Sequence, residues 1–207
     1  MRTHSVWIST LSAAVAAAFL CGCLDLKPAR ATARYFVLAP VSPPVAAAPG
    51  SVPASGPVIG VAPVKLPPYL FKSFLAVRKS PNEVEYLESA LWAESLDQGF
   101  LRALAADLAA RVPTDQLRLS AWHAADVTCE VYVTLEQFDV DEQGKGIISA
   151  WWRVLSPGGD KTLKSGRFRA SHQGPHPKSD PQGAVSTLSE LTGELGAEVA
   201  QAVASLR

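Results

Sequence analysis

Between Val127 and Ala170 the chain spells out three consecutive strands, and that stretch limits the fold more than any other. Val127, Cys129, Val131, Val133 and Leu135 alternate with Thr128, Glu130, Tyr132, Thr134 and Glu136. Successive side chains of a strand point to opposite faces, so this period of two predicts a half-buried strand over 127–138. A turn at Asp141–Gly146 leads into a return strand over Ile147–Leu155. Ser156-Pro157-Gly158-Gly159-Asp160 then turns the chain into Lys161–Ala170. Strand, turn, strand, turn, strand is an antiparallel meander. Gly166 is expected to shift the phase of the last strand, since Leu163 and Phe168 cannot share a face of a regular one. On the middle strand Ile148, Ala150, Trp152 and Val154 make the core side and leave Trp151 beside Ser149 and Arg153. Trp151 is core if helices cover both faces of the sheet, and a partner-binding or lipid-facing patch if they do not.

Two amphipathic patterns supply the cover. Trp92, Leu96, Phe100, Leu104 and Leu108 recur at four-residue spacing and predict a helix over Ser89–Arg111, stopped by Pro113. Glu94, Asp97, Arg102 and Asp107 fall on its other faces. Leu188, Leu191, Leu195, Val199 and Val203 predict a second helix over Gly183–Leu206, after a polar loop at 171–182. Tyr35–Leu38, Val58–Val64, Phe74–Lys79, Glu83–Leu87 and Gln116–Trp122 read as strands, with a hairpin at Ser80-Pro81-Asn82. Pro40, Pro43, Pro44, Pro49, Pro53 and Pro57 make 40–57 a loop, because that composition forms neither helix nor sheet. The expected fold class is α/β at its border with α+β. It is a single domain whose mixed, largely antiparallel sheet packs with two long amphipathic helices.

At the start of the chain a basic head, Met1-Arg2-Thr3-His4, precedes an uncharged run from Val6 to Leu20. That run of about 15 residues is short of the roughly 20 that span a bilayer, and has the length of a secretory leader. Leu20-Cys21-Gly22-Cys23 closes it and resembles the lipobox of bacterial lipoprotein precursors. The resemblance implies a leader at 1–22, lipid attachment at Cys23, a lipidated tether at 23–34 and a domain at 35–207. Several buried acyl chains hold a protein at a membrane for good. Leu24, where inner-membrane lipoproteins often carry Asp, implies export to the outer membrane. Cys21 leaves with the leader and Cys23 is acylated, so Cys129 has no partner and no intrachain disulfide forms.

The sequence carries few signs of catalytic or metal chemistry. The 19 Lys and Arg balance 19 Asp and Glu, and no basic run gives a footprint for nucleic acid. Gly174 and Pro175 separate His172 from His176, so with His123 they read as loop histidines rather than as zinc ligands. Asp139, Asp141, Gln143 and Gly144 begin like a calcium loop, but the position that needs Glu holds Ala150. A hairpin turn accounts for them, and no metal or cofactor is expected. Phosphate loop, dinucleotide fingerprint and nucleophile elbow are all missing from the sequence, which points away from an enzyme. Leu66-Pro67-Pro68-Tyr69-Leu70 stands out instead. Its prolines exclude helix and inner strand and stiffen the loop, so little entropy is lost when it docks. Tyr69 brings an apolar ring with a polar tip, a residue type enriched at interfaces. The other reading is that Tyr69 and Leu70 only cap the helix and sheet.

A family resemblance joins these pieces. The lipobox is followed by Tyr35-Phe36-Val37-Leu38, by Val58-Ile59-Gly60-Val61-Ala62-Pro63-Val64, and by Leu66-Pro67 with Tyr69-Leu70. Val77-Arg78, Asn82 and Trp92-Ala93-Glu94 come next. This pattern resembles the PqiC/YmbA-type auxiliary lipoproteins of ABC-type transport systems, over most of the chain and most densely at 58–96. The family tends to have Arg-Pro-Gln where this chain has Phe71-Lys72-Ser73, and often Arg where Leu91 stands. The resemblance implies a non-catalytic subunit anchored in the outer membrane by its lipid. Its implied partners are an MCE-domain periplasmic protein and the associated lipid-transporter subunits, with self-association into a homo-oligomer left open. Leu66, Pro67, Tyr69, Leu70 and Trp151 are the candidate partner-binding residues. A structural or assembly lipoprotein of the cell envelope, and a periplasmic hydrolase, are the alternatives.

Overall fold

The strands in chain order are β1 (Arg34–Phe36), β2 (Ile59–Val61), β3 (Phe74–Ser80), β4 (Glu83–Trp92), β5 (Leu117–Leu119), β6 (Cys129–Asp141), β7 (Lys145–Leu155) and β8 (Thr162–Gln173). Helix α1 (Leu96–Arg111) follows β4 and helix α2 (Pro181–Ala204) ends the fold. This is a computed structural model, and it describes residues 32–41, 56–112, 114 and 116–206. The leader, Cys23, most of the proline-rich stretch and Pro113 lie outside the described residues.

β6 is the axis of the sheet. One of its edges pairs antiparallel with β7, from Glu130 opposite Leu155 to Val140 opposite Gly146. The other edge is divided: β2 runs parallel to Cys129–Val131, and β3 runs parallel to Val140 and Asp141. The sheet therefore forks, with β2 leading to β5 and β3 leading through β4 to β1. Parallel pairing is confined to short contacts, whereas β3–β4, β6–β7 and β7–β8 are long and antiparallel. The sheet is thus mixed and largely antiparallel, as the sequence pattern requires.

Both helices pack on one face. Val131, Val133, Phe138, Val140, Ile148, Ala150, Trp152 and Val154 point into it and are all buried. Phe100 of α1 meets the Phe138 ring edge-on with centroids 5.2 Å apart. Glu198 of α2 accepts the Trp152 indole N–H at 2.6 Å. Phe100, Leu104, Leu108, Leu188, Leu191 and Leu195 are all fully buried, each contributing about 1.5–3 kcal/mol. Cys129 sits in this core with its thiol pushed up to about 11, by burial first and the neighbouring Glu130 charge second.

Several boundaries differ from the sequence reading. The helix expected from Ser89 begins at Leu96, because Ala90–Trp92 are held in the sheet by parallel pairing with Arg34–Phe36. Trp92 is a buried strand residue, and Ser95 in extended conformation opens the helix. Asp107 is not on a solvated face: it is fully buried and accepts the Val41 backbone N–H at 3.2 Å. The phase shift in β8 falls at Leu163, between the pairs Val154–Lys164 and Leu155–Thr162, rather than at Gly166. Gly166 stays in register under the Trp152 indole, which a Cβ would approach to 2.5 Å. The strand also runs three residues past Ala170, since Lys145–Ile147 continue to pair with Ser171–Gln173. The strand expected over Gln116–Trp122 shrinks to Leu117–Leu119 and ends at Ser120, whose φ is 68°. The first strand pairs as Arg34–Phe36 rather than Tyr35–Leu38, and Leu38 turns into the core.

Candidate functional site

The fork leaves a gap in the hydrogen-bonding edge of β6, and the chain from Ala62 to Phe71 fills it. Ala62 N–H donates to Val131 O, Lys65 N–H to Val133 O, and Leu135 N–H to Lys65 O. Pro67 and Pro68 then turn the backbone into a short 3-10 helix, Pro68–Phe71, where a strand cannot continue. From that helix the Tyr69 hydroxyl accepts the next β6 donor, Phe138 N–H, at 3.2 Å. The same hydroxyl donates to Asp139 Oδ2 at 2.8 Å. A side chain thus completes the edge between β2 and β3.

Asp139 is the hub beneath this loop. It is fully buried and also accepts from Arg78 Nη2 at 2.6 Å and from Gln137 Nε2 at 2.9 Å. The Arg78 guanidinium lies 5.5 Å from the Tyr69 ring centroid, and the Tyr86 hydroxyl donates to the Tyr69 carbonyl at 2.9 Å. Burial, and then the Asp139 charge, push the Tyr69 phenol above its usual range and keep it a donor. The hydrogen bond to Asp139 raises Arg78, which stays charged. Every lone pair that the buried carboxylate must satisfy has a partner, the condition under which a buried ion pair is tolerated.

With Tyr69 turned inward, the apolar surface of the loop belongs to Phe71. Its ring is 67% exposed, while Leu70 is 4% exposed and Leu66 and Pro67 are half-buried. Phe71, Lys72 and Ser73 form one wall of a groove of about 310 Å³ whose other wall is Trp92–Asp97. Phe71 was not singled out by its spacing. It stands in the sequence only as a departure from the family pattern.

Trp151 is placed apart from the loop, on the face of β7 that neither helix covers, and is 48% exposed. Its indole N–H donates to Glu136 Oε1 at 2.8 Å, and Arg167 from β8 donates to Glu136 Oε2 at 2.7 Å. The guanidinium of Arg167 lies 5.0 Å from the Trp151 ring centroid. Ser149 donates to the same carboxylate at 2.7 Å. The Ser149 hydrogen bond first, then Arg167 and Trp151, hold the Glu136 carboxyl down at about 2. Glu136 is the bulged residue of β6, where the register with β7 shifts between Leu135 and Gln137, and the bulge aims it at this cluster.

The remaining candidates have ordinary roles. Asp141 Oδ1 accepts the N–H groups of Gln143 and Lys145, which with Gly144 at φ 87° makes the β6–β7 turn. His172 lies on β8 with its Nε2 2.7 Å from Glu194. Among the described residues no group of His, Cys, Asp and Glu could hold a metal ion.

A forked, mostly antiparallel sheet with two helices on one face and hydrogen-bonded side-chain clusters on the other defines an α/β domain. It has the same fold as an uncharacterised protein of known crystal structure, 21% identical over 82% of this chain and 97% of that one, with a TM-score of 0.64. Protein XCC0632 from Xanthomonas campestris, of the DUF330 family, is 13% identical over 81% of this chain and 93% of its own, also at 0.64. No curated protein matches. The chain belongs to the family of ABC-type transport auxiliary lipoprotein components, whose match spans residues 36–200. The residues that carried the resemblance come together in the fold: Tyr69 and Arg78 meet on Asp139, and Arg102 bridges Glu94 to the Leu38 carbonyl.

Proposed function

We propose that this chain is a non-catalytic accessory subunit of an MCE/ABC-type intermembrane lipid transport system, anchored through lipid on Cys23 at the periplasmic side of the outer membrane. Its family is one of transport auxiliary lipoproteins, and the resemblance of Leu20-Cys21-Gly22-Cys23 to a lipobox supports Cys23 as the lipid-bearing residue. The observation that carries the docking role is the Leu66–Phe71 loop. Two prolines and the Tyr69–Asp139–Arg78 cluster fix its shape, and it presents a largely exposed Phe71 beside a groove. A rigid aromatic at the rim of a pocket binds without the cost of ordering a mobile loop. Leu66, Pro67, Tyr69 and Leu70 support that surface, and Phe71 makes the contact with the MCE-domain partner.

The test pairs two variants. Cys23→Ala abolishes incorporation of labelled palmitate and releases the chain from the outer-membrane fraction. Phe71→Ser leaves lipidation and melting temperature unchanged and lowers recovery of the co-expressed MCE protein at least tenfold, as for an interfacial aromatic worth about 2 kcal/mol. Full recovery of the partner with Phe71→Ser would remove the loop from the interface. Wild-type chain that brings down no MCE protein would remove the transport role itself.

A further inference from the structure

The two sides of the molecule carry opposite charge. On the sheet face left open by the helices, Lys65, Lys145, Arg153, Arg167 and Arg169 are exposed around Trp151, and Glu136 is the exposed acid among them. Glu130 and Asp139 on the same face are buried, Glu130 bonded to Tyr132 and Trp122 and Asp139 to Arg78. Arg167 neutralises Glu136. Among the described residues Lys65, Lys145, Arg153 and Arg169 have no carboxylate within salt-bridge reach. The opposite side is formed by both helices: α2 carries Glu190, Glu194 and Glu198 and no Lys or Arg, and in α1 Arg102 and Arg111 balance Asp97 and Asp107. The whole chain is neutral, so this is a separation of charge rather than an excess. The open face is also broad: between β6 and β8 it forms a shallow hollow of about 700 Å³ lined by Glu136, Lys145, Ile147, Ser149, Arg167 and Arg169.

We propose that this face rests on a bilayer that contains anionic phospholipid, with Trp151 at the level of the headgroups and Arg153, Arg167, Arg169 and Lys145 on their phosphates. Charge complementarity selects an anionic occupant. The spread of cations over a shallow surface, around an exposed indole, fits a plane of headgroups better than a single acidic strand. Trp settles at the membrane interface because its ring is apolar and its N–H is polar, and arginines reach from apolar stems to phosphate. The Glu136 bridge holds Trp151 and Arg167 stacked beforehand, so ordering them costs little on contact. A lipoprotein already confined to a membrane gains orientation from such a face: α2 is turned away from the lipid and the rest of the domain toward the periplasm.

The full chain, reconstituted by its own anchor into neutral phosphatidylcholine vesicles or into vesicles that also hold phosphatidylglycerol, tests this with brominated lipid as quencher. The difference between wild type and Trp151→Phe isolates the Trp151 emission from that of buried Trp92 and Trp152 and half-buried Trp122. The Trp151 emission is quenched in anionic vesicles, spared in neutral ones, and recovers in high salt. The double variant Arg153→Gln/Arg169→Gln leaves the Glu136 cluster intact and lowers the docked-to-free ratio roughly fivefold per arginine. Equal quenching in both lipids, or no loss in the double variant, would overturn the proposal. So would protection of Trp151 by an acidic co-purifying protein on neutral vesicles, which would give the face to a protein. Retention of the chain on both vesicle types, and its recovery of the MCE partner, are read separately, so failure here leaves the transport reading standing.

Discussion

Tyr69 does at one atom what a strand does along its length. Its hydroxyl accepts from Phe138 N–H and donates to Asp139, so removing that oxygen strands a backbone donor and weakens the shell of a buried carboxylate. Hydrogen bonds to charged groups contribute about 1.5–3 kcal/mol, and an orphaned buried donor adds to the loss. Tyr69→Phe keeps the ring and therefore isolates this effect. Stability falls by about 2 kcal/mol, which for a domain of this size lowers the melting temperature by about 4–8 °C. Thermal unfolding followed by circular dichroism measures it, and a shift of less than about 1 °C would show that water replaces the hydroxyl without loss. Phe71→Ser has no buried partner to lose and leaves the melting temperature alone. The two aromatics of one loop thus separate folding from docking.

At the scale of elements, α1 and α2 approach closely because α2 offers Gly196 where they meet, and Gly193 beside it makes room for Val41. A Cβ on Gly196 would stand 2.9 Å from Asp107 Cβ, and one on Gly193 would stand 2.7 Å from Val41 Cγ2. Glycine inside a helix is unfavourable by about 1 kcal/mol relative to Ala, so its presence here reflects the fit between helices. Gly196→Val forces them apart and lowers stability by about 1–3 kcal/mol, read as an earlier midpoint in urea with an unchanged slope. A neutral or stabilising result would mean that the helices slide to absorb the branch. The apolar stripe of α2 was legible because Leu188, Leu191, Leu195, Val199 and Val203 recur within one element. The start of α1 was not: Trp92 keeps the four-residue spacing, yet its place is fixed by β1, whose pairing partner lies more than fifty residues away in the chain. Likewise the meander could be read from its alternation. Asp139 could not: it keeps the odd spacing of the apolar residues, and only the bulge at Glu136 moves it to the other face, where Tyr69 and Arg78 close over it. Trp151 was correctly assigned to the face away from Trp152, and the exposure of that face followed only once both helices were seen on the other.

For the whole molecule, the helices and the sheet share one apolar cluster that runs from Leu38 and Ile59 to Val203, and among the described residues no disulfide holds any part of it. A domain with one core and no cross-links unfolds as a unit. Cys129 reports on that unit from the inside. It lies on β6, between β2 and β7, with 2% of its surface exposed and its thiol pushed up to about 11. Alkylation needs the thiolate and access, and the fold withholds both. At pH 8 the Cys129 peptide, followed by mass, stays unlabelled in native buffer and is alkylated along the same urea transition as the loss of helical circular dichroism. Labelling well below that transition would mean that the β2 side of the fork opens by itself. That outcome would make Ile59–Val61 and the Leu66–Phe71 loop a separately unfolding unit. A docking surface built on such a unit would be shaped by its partner. Coincident transitions mean that Phe71 is held in place before any partner arrives.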